Sequence, residues 1–222
     1  MAEISQIKRP KSLSKIAEEH IREGIVNGVF RLGESLQEAK LSDALGISKT
    51  PIREALAALK LQGLVQIFPH RGAFVFSLSK EDVIQLCQYR LTLETAALEQ
   101  AFSNDQTALL GRLESVVSQM SQARRADAFG QYLELDAHFH DVFFELCGNS
   151  YLRDGYQKVG DMVKTMRTYL SLRSERTAKS FAEHESILMH LREDKLKAAL
   201  TVLKRQITRG ERSYSELIDV QQ

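Results

Sequence analysis

All three prolines of this 222-residue chain, Pro10, Pro51 and Pro69, lie within its first third. Proline ends or kinks a helix because it lacks a backbone N–H and its ring clashes with the preceding turn. Beyond residue 70 the apolar residues recur with helical spacing and no proline interrupts them. We therefore predict a mainly α fold, in which residues 79–222 form an all-α bundle of about six helices, near 80–101, 105–123, 126–147, 150–173, 180–193 and 195–217.

The first third begins with shorter helices. Apolar spacing predicts one helix that begins at Ser12, a second near 38–45 that ends at Gly46, and a third that begins at Ser48 or Thr50. Glycine at the end of a helix can take the left-handed conformation that closes it. A tight turn between two short helices is therefore expected at this place.

The segments after the third helix are rich in β-forming residues. Residues 64–68 and 73–78 flank the turn sequence Pro69-His-Arg-Gly, which indicates a β-hairpin. Three helices followed by a hairpin predict an N-terminal winged helix-turn-helix domain over residues 12–78. The polar residues 1–11 before it are expected to form a mobile arm.

Charge and cysteine content limit the function classes. The formal net charge is +1, but residues 1–78 hold eleven Lys and Arg against eight Asp and Glu, a net of +3. Cys87 and Cys147 are too few for a disulfide framework or a thiolate metal cluster, which predicts a reducing, cytoplasmic location. The sequence has no signal-peptide core and no run of about 18 apolar residues, so we expect neither secretion nor contact with a membrane.

The start of the third helix carries the residues expected of a DNA reader. Lys49, Thr50 and Arg53 lie at its N-terminal end, where a helix in the major groove meets phosphates and base edges. Arg53 can offer a bidentate fork to guanine, and Arg71 supplies a cation at the hairpin tip. Each residue alone could be a solvated surface charge. DNA binding is favoured because the same segment combines a capped turn, a basic helix start and a basic hairpin tip.

Four strings in this region carry a family resemblance. They are Gly46-Ile-Ser-Lys-Thr-Pro-Ile-Arg-Glu-Ala-Leu, Arg31-Leu-Gly-Glu-Ser-Leu, Leu59-Lys-Leu-Gln-Gly-Leu-Val and Pro69-His-Arg-Gly-Ala-Phe-Val. Together they closely resemble the DNA-binding domain of the GntR family of transcription regulators. The resemblance implies that the DNA-contacting residues are Ser48, Lys49, Thr50 and Arg53 in the helix and His70, Arg71 and Gly72 at the wing tip. The modest charge of this domain predicts a homodimer that binds two half-sites of a palindromic double-stranded DNA operator.

Polar residues interrupt the apolar stripes of the helical domain. Two of these stripes are Val83, Leu86, Arg90, Leu93, Ala97 and Phe129, Leu133, Asp136, His140, Phe143. Asp136 and His140 are four residues apart, so their side chains adjoin on one helix face. His184 and Gln206 interrupt two further stripes. Because burying such groups without partners is costly, they must satisfy each other, hold a metal or line a wet cavity.

A second resemblance covers this region. Its strings are Tyr89-Arg-Leu-Thr-Leu-Glu-Thr-Ala-Ala, Asp136-Ala-His-Phe-His followed by Gly148-Asn149, and Glu183-His184. They resemble the FCD effector domain of the FadR-type branch of the family, and six helices are typical of its VanR-like subgroup. In many members one Asp and three His bind a divalent metal, and a carboxylate effector completes the coordination.

The resemblance implies a metal site and an effector site. Asp136, His140 and His184 match three ligands of one zinc, nickel or manganese ion per protomer. Gln206 stands where the fourth histidine is expected, and its carbonyl oxygen is a weaker ligand than imidazole. Arg90 and Gln206 are the expected effector-binding residues, because a guanidinium in a low-dielectric cavity binds a carboxylate bidentately.

The leading hypothesis is a dimeric transcription regulator, a repressor rather than an enzyme, whose DNA affinity changes when the helical domain binds a small carboxylate. Some alternatives stay open. Asp136 could form a buried ion pair with His140 or with Arg90, and His184 could be a hydrogen-bonded core residue. For the whole domain, the alternatives are a metal-dependent hydrolase, for which no general base is evident on these stripes, and a dimerisation bundle without a ligand.

Overall fold

The computed structural model describes residues 11–171 and 174–221, and it divides into two compact units after Ser77. The predicted arm of residues 1–11 lies outside the described residues except for Lys11. Residues 172 and 173, at the end of the predicted fourth bundle helix, also lie outside them. Each unit has its own apolar core.

The first unit contains three helices and a three-stranded sheet. The helices are α1 (Leu13–Val26), α2 (Glu38–Leu45) and α3 (Lys49–Leu61), and the strands are β1 (Ser35–Leu36), β2 (Val65–Phe68) and β3 (Gly72–Val75). The antiparallel order β1-β3-β2 confirms the hairpin and adds β1, which is too short to show a sequence pattern. β3 ends at Val75 rather than at residue 78, because Val75 pairs with Val65, the first residue of β2.

Local signals explain where these helices begin and end. The Ser12 hydroxyl accepts a hydrogen bond from the Lys15 backbone N–H at 3.2 Å and so caps α1. Gly46 has a φ of 65° at the end of α2, and this left-handed residue turns the chain toward α3. The core of the unit is fully buried at Ile25, Ile52, Leu59, Leu64 and Val75.

The second unit is an all-α bundle, as predicted. Its described residues form α4 (Lys80–Asn104), α5 (Gln106–Arg125), α6 (Phe129–Leu146), α7 (Ser150–Ser171), α8 (Ser174–Arg192) and α9 (Leu196–Gln221). A capping box fixes the start of α4, because the Ser79 hydroxyl and the Asp82 carboxylate each accept a hydrogen bond from the other residue's backbone N–H. α8 begins before the predicted residue 180, since the polar stretch there holds good helix formers and no proline.

The interior of the bundle contains both apolar and charged side chains. Leu98, Phe139 and Phe143 are 0% exposed, and so are Glu94 and His184. A fully buried carboxylate requires partners, so the charged residues form a defined cluster. Among the described helices, none is both long and apolar enough to cross a membrane.

Candidate DNA interface and effector site

The helix-turn-helix of α2 and α3 leaves the start of α3 open to solvent. Ser48 occupies the N-cap position, but its hydroxyl makes no capping hydrogen bond. Ser48, Lys49 and Thr50 are all exposed. The first backbone N–H groups of α3 can therefore bind a phosphate, as helix N-termini commonly do.

Arg53 lies one turn further along α3 and reaches back to α2. Its Nε donates a hydrogen bond to Glu38 Oε2 at 2.7 Å, while 65% of the side chain remains exposed. Glu38 does not stand out in the sequence, because the helix dipole already accounts for an acidic residue in the first turn of a helix. The structure shows that Glu38 also contacts Arg53, the residue expected to bind guanine.

Arg71 lies against two aromatic rings in the wing. Its guanidinium carbon is 5.4 Å from the ring centre of Phe68 and 5.6 Å from that of Phe74, within the range of a cation–π contact. His70 and Gly72 beside it have positive φ values of 60° and 92°, and all three tip residues are exposed. The hairpin therefore holds Arg71 in place while leaving it accessible.

Glu94 is the centre of a buried charged cluster in the second unit. One of its carboxylate oxygens accepts a hydrogen bond from Arg90 Nε, and the other accepts one from His140 Nδ1 at 2.6 Å. Burial alone would raise the pKa of Glu94, but Arg90, His140 and Arg167 outweigh burial and hold this pKa well below its usual value. Arg90 therefore pairs with an ionised Glu94 and not with Asp136.

His140 and His184 meet in the same interior. Their Nε2 atoms are 3.2 Å apart, and the amide nitrogen of Gln206 is 3.1 Å from His184 Nε2. Burial lowers the pKa of His184 to about 3 and also lowers the pKa of His140, so both rings are neutral at pH 7. Because the His140 Nδ1–H donates to Glu94, its Nε2 carries a lone pair that points toward His184.

Asp136 connects α6 with α7 and α8. Its Oδ1 accepts a hydrogen bond from the Ser180 hydroxyl at 2.9 Å and lies 3.8 Å from His184 Nε2. Its Oδ2 lies 3.5 Å from Arg167 Nε. Although burial opposes ionisation, the Arg167 guanidinium and the hydrogen bond from Ser180 lower the pKa of Asp136 below its usual value. The ion-pair partner of Asp136 is therefore Arg167 rather than His140.

A cavity of about 60 Å³ opens onto this cluster. Both terminal nitrogens of Arg167 and Oε1 of Gln206 are buried without a hydrogen-bond partner. Buried polar atoms are nearly always hydrogen-bonded in proteins, so unpartnered ones beside a cavity mark a place for a polar ligand. The cavity is lined by Arg90, Asp136, His140, Arg167, Leu170, Ser180, Gln206, Arg209, Gly210 and Ser213.

The charges around the cavity are balanced. Arg209 donates from Nε and Nη2 to the two carboxylate oxygens of Glu183, at 3.3 Å and 2.5 Å. With the pairs Arg90–Glu94 and Arg167–Asp136, this makes three cation–anion pairs around two neutral histidines. An incoming anion therefore adds a charge that must be met by the terminal nitrogens of Arg167, which make no hydrogen bond although Nη2 lies 3.9 Å from Glu94 Oε1, or by a further cation.

The residues expected to bind metal offer suitable donors. Asp136, His140 and His184 supply one carboxylate and two imidazoles, which suit zinc, nickel or manganese. Glu94 orients His140 in the way that carboxylates orient metal-binding histidines. Within residues 11–171 and 174–221, however, no group of three or more His, Cys, Asp or Glu side chains is arranged to hold a metal ion. The chemistry of these donors fits a metal, but their arrangement in this conformation does not.

The structure brings together the five polar residues that sequence analysis assigned to one interior: Arg90, Asp136, His140, His184 and Gln206. Two details of the predicted stripes were wrong. The buried face of α4 runs through Glu94 rather than Leu93, and Tyr132 is buried on α6 while Phe129 is 41% exposed. Arg167 was missed, although it interrupts the apolar row of α7 with the same spacing.

Two family models match the chain. Residues 13–75 match the gntR family of bacterial regulatory proteins, and residues 85–209 match the FCD domain. The uncharacterized HTH-type transcriptional regulator YdhC of Bacillus subtilis is 26% identical over 180 residues, 81% of this chain and 80% of that protein. The HTH-type transcriptional repressor RspR of Escherichia coli is 29% identical over 126 residues, 57% of this chain and 55% of RspR.

Solved structures share the fold. A protein from Rhodococcus sp. RHA1 superposes with a TM-score of 0.80 at 22% identity, over 92% of this chain and 98% of that one. Escherichia coli McbR/YncC gives a TM-score of 0.78 at 18% identity, over 94% of this chain and 100% of that one. The FCD match alone covers more than half of the sequence. This chain therefore belongs to the GntR family of bacterial regulatory proteins and carries an FCD domain.

Proposed function

We propose that this protein is a sequence-specific transcription regulator that reads DNA with α3 and the wing. The observation that carries the proposal is the exposed start of α3, where Lys49, Thr50 and Arg53 follow an unused N-cap hydroxyl. Arg71, held in the wing, supports it with a third cation. The small charge of the first unit favours a homodimer on a palindromic operator. Six helices in the described second unit favour the VanR-like subgroup.

Selection of bound fragments from a random double-stranded DNA pool tests this proposal. We expect enrichment of one palindromic sequence. Arg53→Ala should strongly reduce the enrichment while the dimer persists, because a bidentate contact to guanine contributes about 1–3 kcal/mol of discrimination. Lys60→Ala is the matched control, since Lys60 is an exposed cation in the last turn of the same helix. A pool in which wild-type protein enriches no sequence would contradict the proposal.

The cavity of the second unit is the proposed effector site. We propose that a small carboxylate binds the terminal nitrogens of Arg167, which make no hydrogen bond, since a guanidinium binds a carboxylate with two parallel hydrogen bonds. Arg90 is already paired with Glu94 and shapes the site from its wall. The small volume favours a short acid. RspR is a transcriptional repressor, and we propose that this chain is also a repressor and that the acid releases it from DNA.

The acid can release DNA only by binding one arrangement of the dimer more tightly than the other. A coupling of this kind has a direct readout. Adding the acid should weaken operator binding, and adding operator should weaken acid binding by the same factor. Calorimetric titration of the acid into free and operator-bound protein measures the acid affinity in each state, and the ratio of the two affinities is this factor. Equal acid affinity in the two states would contradict control by the acid.

A divalent metal at Asp136, His140 and His184 is a further proposal. A bound cation would offset the charge of the incoming acid, which the balanced cluster does not. Binding would require these side chains to converge, with the unpartnered Oε1 of Gln206 as another donor. Elemental mass spectrometry on protein purified without a metal-affinity tag or chelator provides the test. About one metal per protomer supports the proposal, and protein that takes up no added metal contradicts it.

A further inference from the structure

The hydrogen bond between Glu38 and Arg53 joins the two helices of the helix-turn-helix. Glu38 is the first residue of α2, and Arg53 lies in α3, fifteen positions later. The bond engages Nε, at the side of the guanidinium. A guanidinium has five N–H donors in one plane, so a contact at Nε leaves the two terminal nitrogens for a bidentate contact with a base edge.

We propose that Glu38 is a positioning residue for base recognition, whose carboxylate directs Arg53 to guanine and keeps it from the phosphate backbone. The inference rests on the proposed DNA-binding function. Arg53 is 65% exposed, so without a partner it could turn toward any nearby phosphate. Such contacts add affinity but carry no sequence information.

The charge of Glu38 has a second effect. Its side chain is 37% exposed, and an exposed carboxylate at a DNA-binding surface repels phosphates on every DNA sequence. Glu38 therefore lowers binding to all DNA and favours the base contact of Arg53. Removing its charge should move the two affinities in opposite directions, which general damage to the domain would not do.

The test compares Glu38→Gln with wild-type protein on the selected operator and on a scrambled duplex, by fluorescence anisotropy at several salt concentrations. We expect operator affinity to fall by about tenfold, at the lower end of the value of a bidentate base contact. Affinity for scrambled DNA should rise. The logarithmic salt dependence of scrambled binding should steepen by about one for each bound protomer, because each released Arg53 adds one phosphate contact.

Three further variants complete the design. Asp43 is an exposed carboxylate on the same helix that makes no hydrogen bond to Arg53. Asp43→Asn should therefore leave discrimination unchanged. Glu38→Asp keeps the charge but shortens the reach, so operator affinity should fall while affinity for scrambled DNA rises less than it does in Glu38→Gln. In an Arg53→Ala background, Glu38→Gln should cause no further loss of discrimination. Thermal unfolding of each variant checks that the domain stays folded.

The outcomes separate this inference from the proposed function. Wild-type protein that binds operator and scrambled DNA equally would overturn the proposed function. A wild type that discriminates, together with a Glu38→Gln variant that discriminates equally well, would overturn the inference alone. A loss that is just as large in the Arg53→Ala background would also overturn it, because Glu38 would then act without Arg53.

Discussion

Replacing Glu94 by Gln removes a buried anion that contacts Arg90, His140 and Arg167, whose Nη2 lies 3.9 Å from Glu94 Oε1. Glu94 is 0% exposed and accepts hydrogen bonds from Arg90, which is 8% exposed, and from His140, which is 1% exposed. The amide keeps the volume and one acceptor but leaves Arg90 buried without its counter-ion. Breaking a buried ion pair from one side costs about 3–5 kcal/mol. For a domain of this size that is a fall in Tm of about 6–20 °C.

Urea unfolding followed by circular dichroism measures the cost of Glu94→Gln directly. The matched control is Glu99→Gln, an exposed position on α4, which should stay within about 0.5 kcal/mol of wild type. Adding Arg90→Met to Glu94→Gln removes the unpaired cation. The free energy of unfolding of the double variant should therefore exceed that of Glu94→Gln by at least about 1 kcal/mol.

Two results would contradict this prediction. The first is a Glu94→Gln variant that costs no more than Glu99→Gln, which would mean that the cluster contributes nothing through its charge. The second is a double variant that loses the sum of both single losses, which would show that Arg90 and Glu94 are not energetically coupled.

Further predictions concern pH, the wing and the cavity. The pKa values of Glu94 and Asp136 lie below their unfolded values near 4.5 and 3.8, so the stability they confer is complete above about pH 5 and is lost as pH falls through the folded pKa values. The urea midpoint should therefore fall between about pH 5 and 3, and a constant midpoint would contradict this. Phe74→Leu removes one ring beside Arg71 and should weaken operator binding about 2–5-fold by loss of a cation–π contact. Unchanged operator affinity in an anisotropy titration would contradict the idea that the aromatic rings hold Arg71 in place. Arg167→Met should abolish the calorimetric heat of acid binding while the protein stays folded, and a retained heat would place the acid elsewhere.

The helices and the hairpin could be predicted because each has a local signal. Ser12 caps the first helix, Gly46 closes the second, and the lack of proline after Pro69 indicates a helical second unit. The strand β1 could not be predicted, since two residues paired with a distant strand have no periodicity.

The candidate site could be predicted only in part, for a related reason. Asp136 and His140 stand out because polar residues interrupt an apolar row, and the structure places both in the interior. Glu94 was passed over because Leu93 beside it suits the same row. The bond between Glu38 and Arg53 joins two helices across a turn, and helical spacing says nothing about contacts between helices.

The proposed function has two parts: this protein reads a specific DNA sequence, and a small acid changes its affinity for that sequence. Anisotropy titrations of wild-type protein with the selected operator and a scrambled duplex, at one fixed salt concentration and with and without a panel of short carboxylates, test it most directly. We predict operator binding at least about 10³-fold tighter than scrambled binding. At least one acid should weaken operator binding by about 5–150-fold. Two results would contradict the proposed function. One is equal binding to both duplexes, and the other is operator binding that no acid changes.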